Sequence, residues 1–299
     1  MPGNSLSTAT LDRRGDAFST LASRPRLEIL VALLEIESRT GEWQRGPLSF
    51  SDLHAAVGIE STSQFAYHLD RLEDRFVAES REGYRLTLAG ETVARAVVAG
   101  SFEPVSDLEP VTVDAPCPLC GAPDIVAETE TSTFVLRCRS CEASLVTDVL
   151  LESERADRTP PEVVESVGRR LRHYCRMAAD GICPECHGGL DSRVGSHERD
   201  GTTMYAFHNA CQQCWRVVHV PVEVGCLVHP EATALLRRGD HPVDGPLWDL
   251  FAVAADDCSI EVTAEQPFEA VVTLACEDES RQFGVGEDFD VRVLGTDDG

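Results

Sequence analysis

The sequence predicts an α+β protein: a helix-rich module over residues 10–100, two cysteine-bearing segments made of short strands, and a small α+β C-terminal region. Three observations carry this. Apolar residues recur at helical spacing through the first hundred positions, four Cys-x-x-Cys pairs follow in two couples, and strand-like alternation resumes from residue 216 around two short helical stretches.

An amphipathic stretch, Asp16 to Ser23, precedes a longer one, Arg24 to Glu37, where Leu27, Leu30, Val31 and Leu34 recur at helical spacing and Pro25 sits in a first turn that tolerates it. After a Gly41–Pro47 loop, Ser49 and Asp52 form a capping-box pattern ahead of Phe50, Leu53, Ala56 and Val57, a short helix stopped by Gly58. Ser61 and Gln64 repeat the pattern, and Phe65, Leu69, Leu72 and Phe76 share the inward face of the next helix. Two strand-like runs, Phe76 to Ser80 and Tyr84 to Thr87, are joined through Arg81, Glu82 and Gly83 as a hairpin, and Leu88 to Ala99 closes the module as a helix.

Helix, helix, tight turn, helix, hairpin, helix is the winged helix-turn-helix order, in which the capped third helix enters the major groove of DNA. The chain resembles the ArsR-like family of small winged-helix regulators through Arg26-Leu-Glu-Ile-Leu30, Phe65-Ala-Tyr-His-Leu69 with Leu72, and Tyr84-Arg-Leu-Thr-Leu-Ala-Gly90. That resemblance covers residues 10–100 and maps the recognition face onto Ser63, Gln64, Tyr67, His68 and Arg71, with Arg81 and Arg85 in the wing. Gln can grip an adenine edge with two hydrogen bonds, and Arg can grip guanine or phosphate. Asp70, Glu73 and Asp74 lie toward the helix end, outside the groove if only the first turns enter it. The family often senses metal through cysteines near these helices, but here no cysteine precedes Cys117.

Residues 101–116, with three prolines and no helical period, read as a linker or irregular strand. Cys117-Pro-Leu-Cys120 and Cys138-Arg-Ser-Cys141 then have the spacing that closes one tetrahedral site between two turns, a first zinc ribbon over residues 117–158. Gly121 relieves crowding beside the first turn. A connecting helix over 159–182 opens at Thr159-Pro-Pro-Glu162 and carries an apolar stripe of Val164, Val167, Leu171, Tyr174 and Ala178. Cys183-Pro-Glu-Cys186 and Cys211-Gln-Gln-Cys214 repeat the pattern in a second ribbon, residues 183–224. Two structural Zn²⁺ sites with four cysteines each and no open position are expected, with His187, His208 and His219 as substitute ligands and Cys175, Cys226, Cys258 and Cys276 as core thiols. Zinc binding is worth about 10–16 kcal/mol in small peptides, comparable to a whole domain's stability. Past Cys214 a strand at Arg216 to Val224 leads into an α+β domain, residues 225–294, with helices around Glu231 to Arg237 and Pro246 to Ala254, strands to Leu294 and a frayed tail from Gly295. The paired Cys-Pro-x-Cys segments behind a winged helix also resemble regulators of halophilic archaea.

Composition fits that setting. The 299 residues carry a formal net charge of −25, and all 26 basic residues are arginine. Residues 1–100 hold 11 Arg against 14 acids and the remainder 15 against 37, so the first third is nearly neutral. An acidic surface of this kind stays hydrated where salt competes for water. At molar ionic strength the Debye length falls to about 3 Å, so distant carboxylates no longer repel a polyanion. The polar N-terminus and the lack of an eighteen-residue apolar run predict a cytoplasmic protein that does not enter membranes. The sequence has no His-Glu-x-x-His, Gly-x-Ser-x-Gly, phosphate-loop or dinucleotide pattern, so an enzyme is not expected. The function expected is a homodimeric, double-stranded-DNA-binding transcription regulator. The alternatives are an adaptor that binds a protein through its C-terminal half, and a metal- or redox-responsive regulator.

Overall fold

The computed structural model describes residues 7–39, 46–199, 201–277 and 279–295; positions 41–45 of the expected loop and the tail beyond 295 lie outside them. The chain divides into two compact units, Met1–Pro104 with Leu151–Ser153, and Val105–Leu150 with Glu154–Gly299.

The smaller unit runs α1 (Thr8–Leu21), α2 (Arg24–Arg39), α3 (Phe50–Ala56), α4 (Thr62–Asp70), β1 (Val77–Ser80), β2 (Gly83–Leu86) and α5 (Leu88–Val98). Side-chain oxygens cap the helix starts as the capping patterns require. Ser49 Oγ accepts the Asp52 N–H at 3.2 Å, Ser61 Oγ that of Gln64 at 3.4 Å and Thr87 Oγ1 that of Gly90 at 3.1 Å. α2 is the central helix, packed by α3, α4, α5 and β2. Its fully buried residues are therefore Ile29, Leu30 and Leu33, while Leu27 and Val31 of the expected stripe stay half-buried. Phe65, Leu69 and Leu72 close the core, and Phe50 meets Phe65 edge-on with centroids 4.9 Å apart. The β1–β2 hairpin gains a partner that the sequence did not announce: Leu48 and Tyr84 exchange both backbone hydrogen bonds at 2.8 Å.

In the larger unit, β3 (Val111–Val113), β4 (Ile125–Glu130), β5 (Thr133–Cys138) and β6 (Ser144–Val149) form an antiparallel sheet in sequence order. A single turn, α6 (Glu152–Arg155), whose first two residues are assigned to the smaller unit, and the long α7 (Pro160–Ala179) follow. Then come the sheet β7 (Leu190–Arg199), β8 (Thr202–Cys211), β9 (Val217–Pro221), the helices α8 (Val222–Leu227), α9 (Pro230–Arg238), α10 (Asp249–Asp256), and a last sheet of β10 (Cys258–Glu265), β11 (Phe268–Cys276), β12 (Glu279–Gly286) and β13 (Val291–Gly295).

The stretch 101–116, expected as a linker or irregular strand, contains the short strand β3, which pairs with β4, and it buries Val105, Leu108, Val113 and Ala115. The strand expected through Val224 stops at Pro221, whose lack of an N–H ends the ladder and starts α8. The two cysteine segments, the connecting helix and the C-terminal region share one apolar core from Val105 to Phe289.

α7 forms the spine of that core. The Glu162 carboxylate accepts both the N–H and the hydroxyl of Thr159 at 2.7 Å, fixing the helix start. Val163, Val164, Val167, Leu171, Cys175 and Ala178 are buried, and Cys175 replaces the expected Tyr174, which is half-buried. Gly168 allows close approach: a Cβ there would lie 2.4 Å from the Trp248 ring and from Pro246.

One buried charge ties these layers together. Asp148 of β6 is fully buried, with Arg216 Nη2 at 2.6 Å from one oxygen and Arg170 Nη2 of α7 at 3.4 Å from the other; Arg170 also meets Glu154 at 3.4 Å. Removing the carboxylate leaves two arginines without their shared counter-charge. Asp148→Ala is expected to cost about 3 kcal/mol in urea unfolding, and a loss of less than about 0.5 kcal/mol, the scale of an ordinary surface change, would show that the triad is not a fastener.

Candidate metal centres

Each cysteine pair sits where a strand ends or a loop turns back. Cys138 closes β5 and Cys211 closes β8, while Cys117 and Cys183 open turns that precede β4 and β7. The four turns have one geometry. The N–H of the first cysteine donates to the carbonyl five residues on: Cys117 to Ala122, Cys138 to Ala143, Cys183 to Gly188 and Cys211 to Arg216, at 2.8–3.0 Å. Such a closure needs a left-handed residue four positions after the first cysteine, and Gly121, Glu142, His187 and Trp215 have φ of 71, 58, 61 and 62°. Only the first turn uses glycine. Leu119 and Gln213 aim their N–H groups at the sulfurs of Cys117 and Cys211 at 3.4 Å, donors that favour thiolate.

The turns bring the sulfurs of Cys117, Cys120, Cys138 and Cys141 together, and likewise those of Cys183, Cys186, Cys211 and Cys214; within each cluster all lie within 4.8 Å. Cys117–Cys141 and Cys120–Cys138 are 3.8 and 3.7 Å apart, Cys183–Cys214 and Cys186–Cys211 3.6 and 3.4 Å. A tetrahedron with metal–sulfur bonds of about 2.3 Å has edges of about 3.8 Å. A disulfide needs sulfurs about 2.05 Å apart, and every cysteine here is a free thiol. Both clusters can therefore hold a tetrahedral metal ion and are compatible with zinc ribbons. Burial pushes the Cys117 thiol up to about 12, whereas at Cys211 burial is outweighed by hydrogen bonds from the Cys214 and Gln213 backbone, which bring the thiol down to about 6.

The other cysteines stand apart from both clusters. Burial pushes Cys175 and Cys258 up to about 12 and Cys226 well above the ordinary thiol value, which keeps them protonated and inert. Among the described residues both metal-competent clusters are all-cysteine. His187 occupies a left-handed turn position, and His208 and His219 face each other across β8 and β9 with centroids 4.7 Å apart.

In the smaller unit, Ser63, Gln64 and Tyr67 of α4 and Arg71 at its C-cap are exposed, and His68 is half-buried. Gln64, Tyr67, His68 and Arg71 share one helical face, where the Arg71 guanidinium lies over the Tyr67 ring at 5.4 Å. Ser63 and Ser61 share a hydroxyl hydrogen bond of 3.0 Å. Arg81, in the hairpin turn, and Arg85, on β2, are exposed. The sequence reading missed Asp148, Arg216 and the left-handed Glu142, His187 and Trp215. Their only sequence signal is position, Arg216 and Trp215 beside Cys214 and Glu142 beside Cys141.

The architecture thus defines a two-unit α+β protein whose larger unit is built around two four-cysteine centres. Residues 114–291, more than half of the chain, match the family described as DUF7351, a domain of unknown function, and the chain belongs to that family. Residues 14–97 match a second one, DUF7347, also a domain of unknown function. No curated protein and no solved structure matches the chain. The DUF7351 match spans all eight clustered cysteines together with α7 and most of the last sheet, in line with a single core.

Metal titration followed by elemental analysis should give two ions per chain, with Cys138→Ser and Cys211→Ser each removing one; a chain that takes up none would refute both centres. Gly121→Ala places a side chain at φ 71° and is expected to lower metal-loaded stability by about 1 kcal/mol. Alanine at Gly195, which is not left-handed and has open space around it, serves as the control.

Proposed function

We propose that the chain is a DNA-binding transcription regulator with structural zinc in both cysteine centres. The observation that carries this is α4: Phe65 and Leu69 anchor its apolar side at 0% and 1% exposure, while Gln64, Tyr67 and Arg71 point a polar surface at solvent. The order α2–α3–α4–β1–β2–α5 supports a winged helix-turn-helix with α4 as recognition helix, and Arg81 and Arg85 as wing contacts to phosphate. Ser63 and His68 complete the proposed contact surface. Four thiolates with no open position favour a structural ion over a catalytic one, and all-sulfur tetrahedral ligation favours zinc.

A homodimer is part of the proposal. α1 has no buried residue and leaves Leu11 and Phe18 at 53% and 68% exposure, and Leu88 and Val98 of α5 are exposed as well. Apolar surface of this kind favours a second copy, which would present two recognition helices to two half-sites. The salt-tolerant composition fits a cytoplasm rich in salt, and among the described residues no helix is long and apolar enough to cross a membrane. The adaptor alternative draws support from Trp215, exposed at the Cys211–Cys214 turn of the second cluster, since exposed tryptophan is typical of protein contact sites.

Selection of random duplexes by the metal-loaded chain in molar salt, followed by footprinting, tests the reading. A protected site is expected. The double variant Gln64→Ala, Arg71→Ala should bind it roughly tenfold or more weakly, since each base contact contributes about 1–3 kcal/mol, with two ions still bound. A chain that enriches no duplex, or a variant that binds as before, would refute the assignment, and a stable protein complex without DNA protection would favour the adaptor.

A further inference from the structure

Beside the first cysteine turn lies a cavity of about 600 Å³, lined by Pro118 and Leu119 of that turn, Met204 of β8, Glu223 and Val224 of α8, and Phe251 of α10 among others. Its size falls in the range of small-molecule sites, about 300–1,000 Å³. Exposed Cys120, Gly121 and Ala255 form an opening to solvent, and buried Val224 and Phe251 lie deeper. Its lining side chains are apolar apart from one carboxylate and two ligand sulfurs.

That carboxylate has no counter-charge. Glu223 is half-buried, and among the described residues no side chain hydrogen-bonds or ion-pairs with it; its only hydrogen bond comes from its own backbone N–H. Burial raises its carboxyl above the usual carboxylate range. A glutamate in the first turn of a helix is ordinarily an exposed partner of the helix dipole, a role that does not require it to face an apolar cavity. Among the described residues no arginine or histidine lines the space, although the chain has 26 arginines.

The second source of charge is the cysteine centre. Cys117 and Cys120 line the same cavity, and four thiolates around a divalent ion carry a net charge of about −2. An occupant would therefore face a carboxylate and an anionic metal centre across apolar walls. An anion would be repelled there, and a neutral molecule would leave Glu223 unmatched.

We propose that this cavity is a binding site for a small organic cation: a protonated amine on a compact apolar body, with the ammonium at Glu223 and the body against Leu119, Met204, Val224 and Phe251. The assignment rests on the zinc reading for the charge of the first centre. Because the ammonium would be attracted to the net negative charge of the loaded first centre, it would bind the metal-loaded form more tightly, and linkage then requires metal retention to rise with ligand.

Calorimetric titration of the full metal-loaded chain with n-hexylammonium, n-hexanol and hexanoate tests this, with ion content measured on the same samples. One hexylammonium should bind per chain, more tightly than hexanol, with no hexanoate bound. Glu223→Gln should weaken hexylammonium roughly tenfold, the scale of a charge-assisted hydrogen bond, and leave hexanol unchanged. Ala254→Leu, which narrows the cavity, should weaken both with two ions still present. An ion-loaded chain that ignores hexylammonium, or binds it equally after Glu223→Gln, would overturn the cavity assignment alone; a chain without metal would overturn the zinc reading and the cavity assignment with it.

Discussion

The larger unit depends on eight sulfur atoms being held in two groups of four. Thiols crowded within 4.8 Å of one another repel once ionised and gain little from one another while protonated, so neither cluster is a favourable arrangement by itself. The backbone imposes it through four turns of one design, each closed by a hydrogen bond from the leading cysteine to the carbonyl five residues on. Three of the four keep a side chain at the left-handed position, at a cost of about 1–2 kcal/mol each. A cation bound in each cluster would offset both the repulsion and the backbone strain, which would couple metal binding to the folding of this unit.

What the sequence disclosed was local chemistry. Helix starts could be read because a serine or threonine oxygen either meets an N–H three residues on, as at Ser49 and Ser61, or is itself met by a glutamate, as at Thr159. The cysteine groupings could be read because Cys-x-x-Cys spacing directs two sulfurs to one point. Features that depend on distant neighbours stayed hidden. Leu48 bridges to Tyr84 across α3, α4 and β1, and nothing in either residue's surroundings marks the pairing. Asp148 looks like one more acid in an acid-rich chain until Arg216 and Arg170 close on it. The central place of α2 misled the helical-stripe argument, since a helix packed on several sides has no single apolar face to read. Glu142, His187 and Trp215 are poor left-handed residues by type, so only their offset from the cysteines could have marked them.

The charge of the larger unit is more one-sided than its count of 15 arginines against 35 acids suggests, because its arginines are largely engaged. Arg170 and Arg216 turn inward to Asp148, and Arg172 holds the carbonyls of Pro242 and Gly245. Arg169 and Arg176 divide themselves between a neighbouring carboxylate and the carbonyls of Asp244 and Val228. Arg137 and Arg238 pair with Glu130 and Glu279. A guanidinium already bonded to the fold has few donors left for an outside phosphate, while the unpaired carboxylates remain at the surface. On the proposed DNA-binding reading, contact with a polyanion falls to the smaller unit, where Arg81 and Arg85 are exposed and residues 1–100 hold 11 arginines against 14 acids. The larger unit is suited to the opposite kind of ligand: its cysteine clusters can hold a metal cation and the proposed cavity site would take an organic one, in places that its own arginines do not fill.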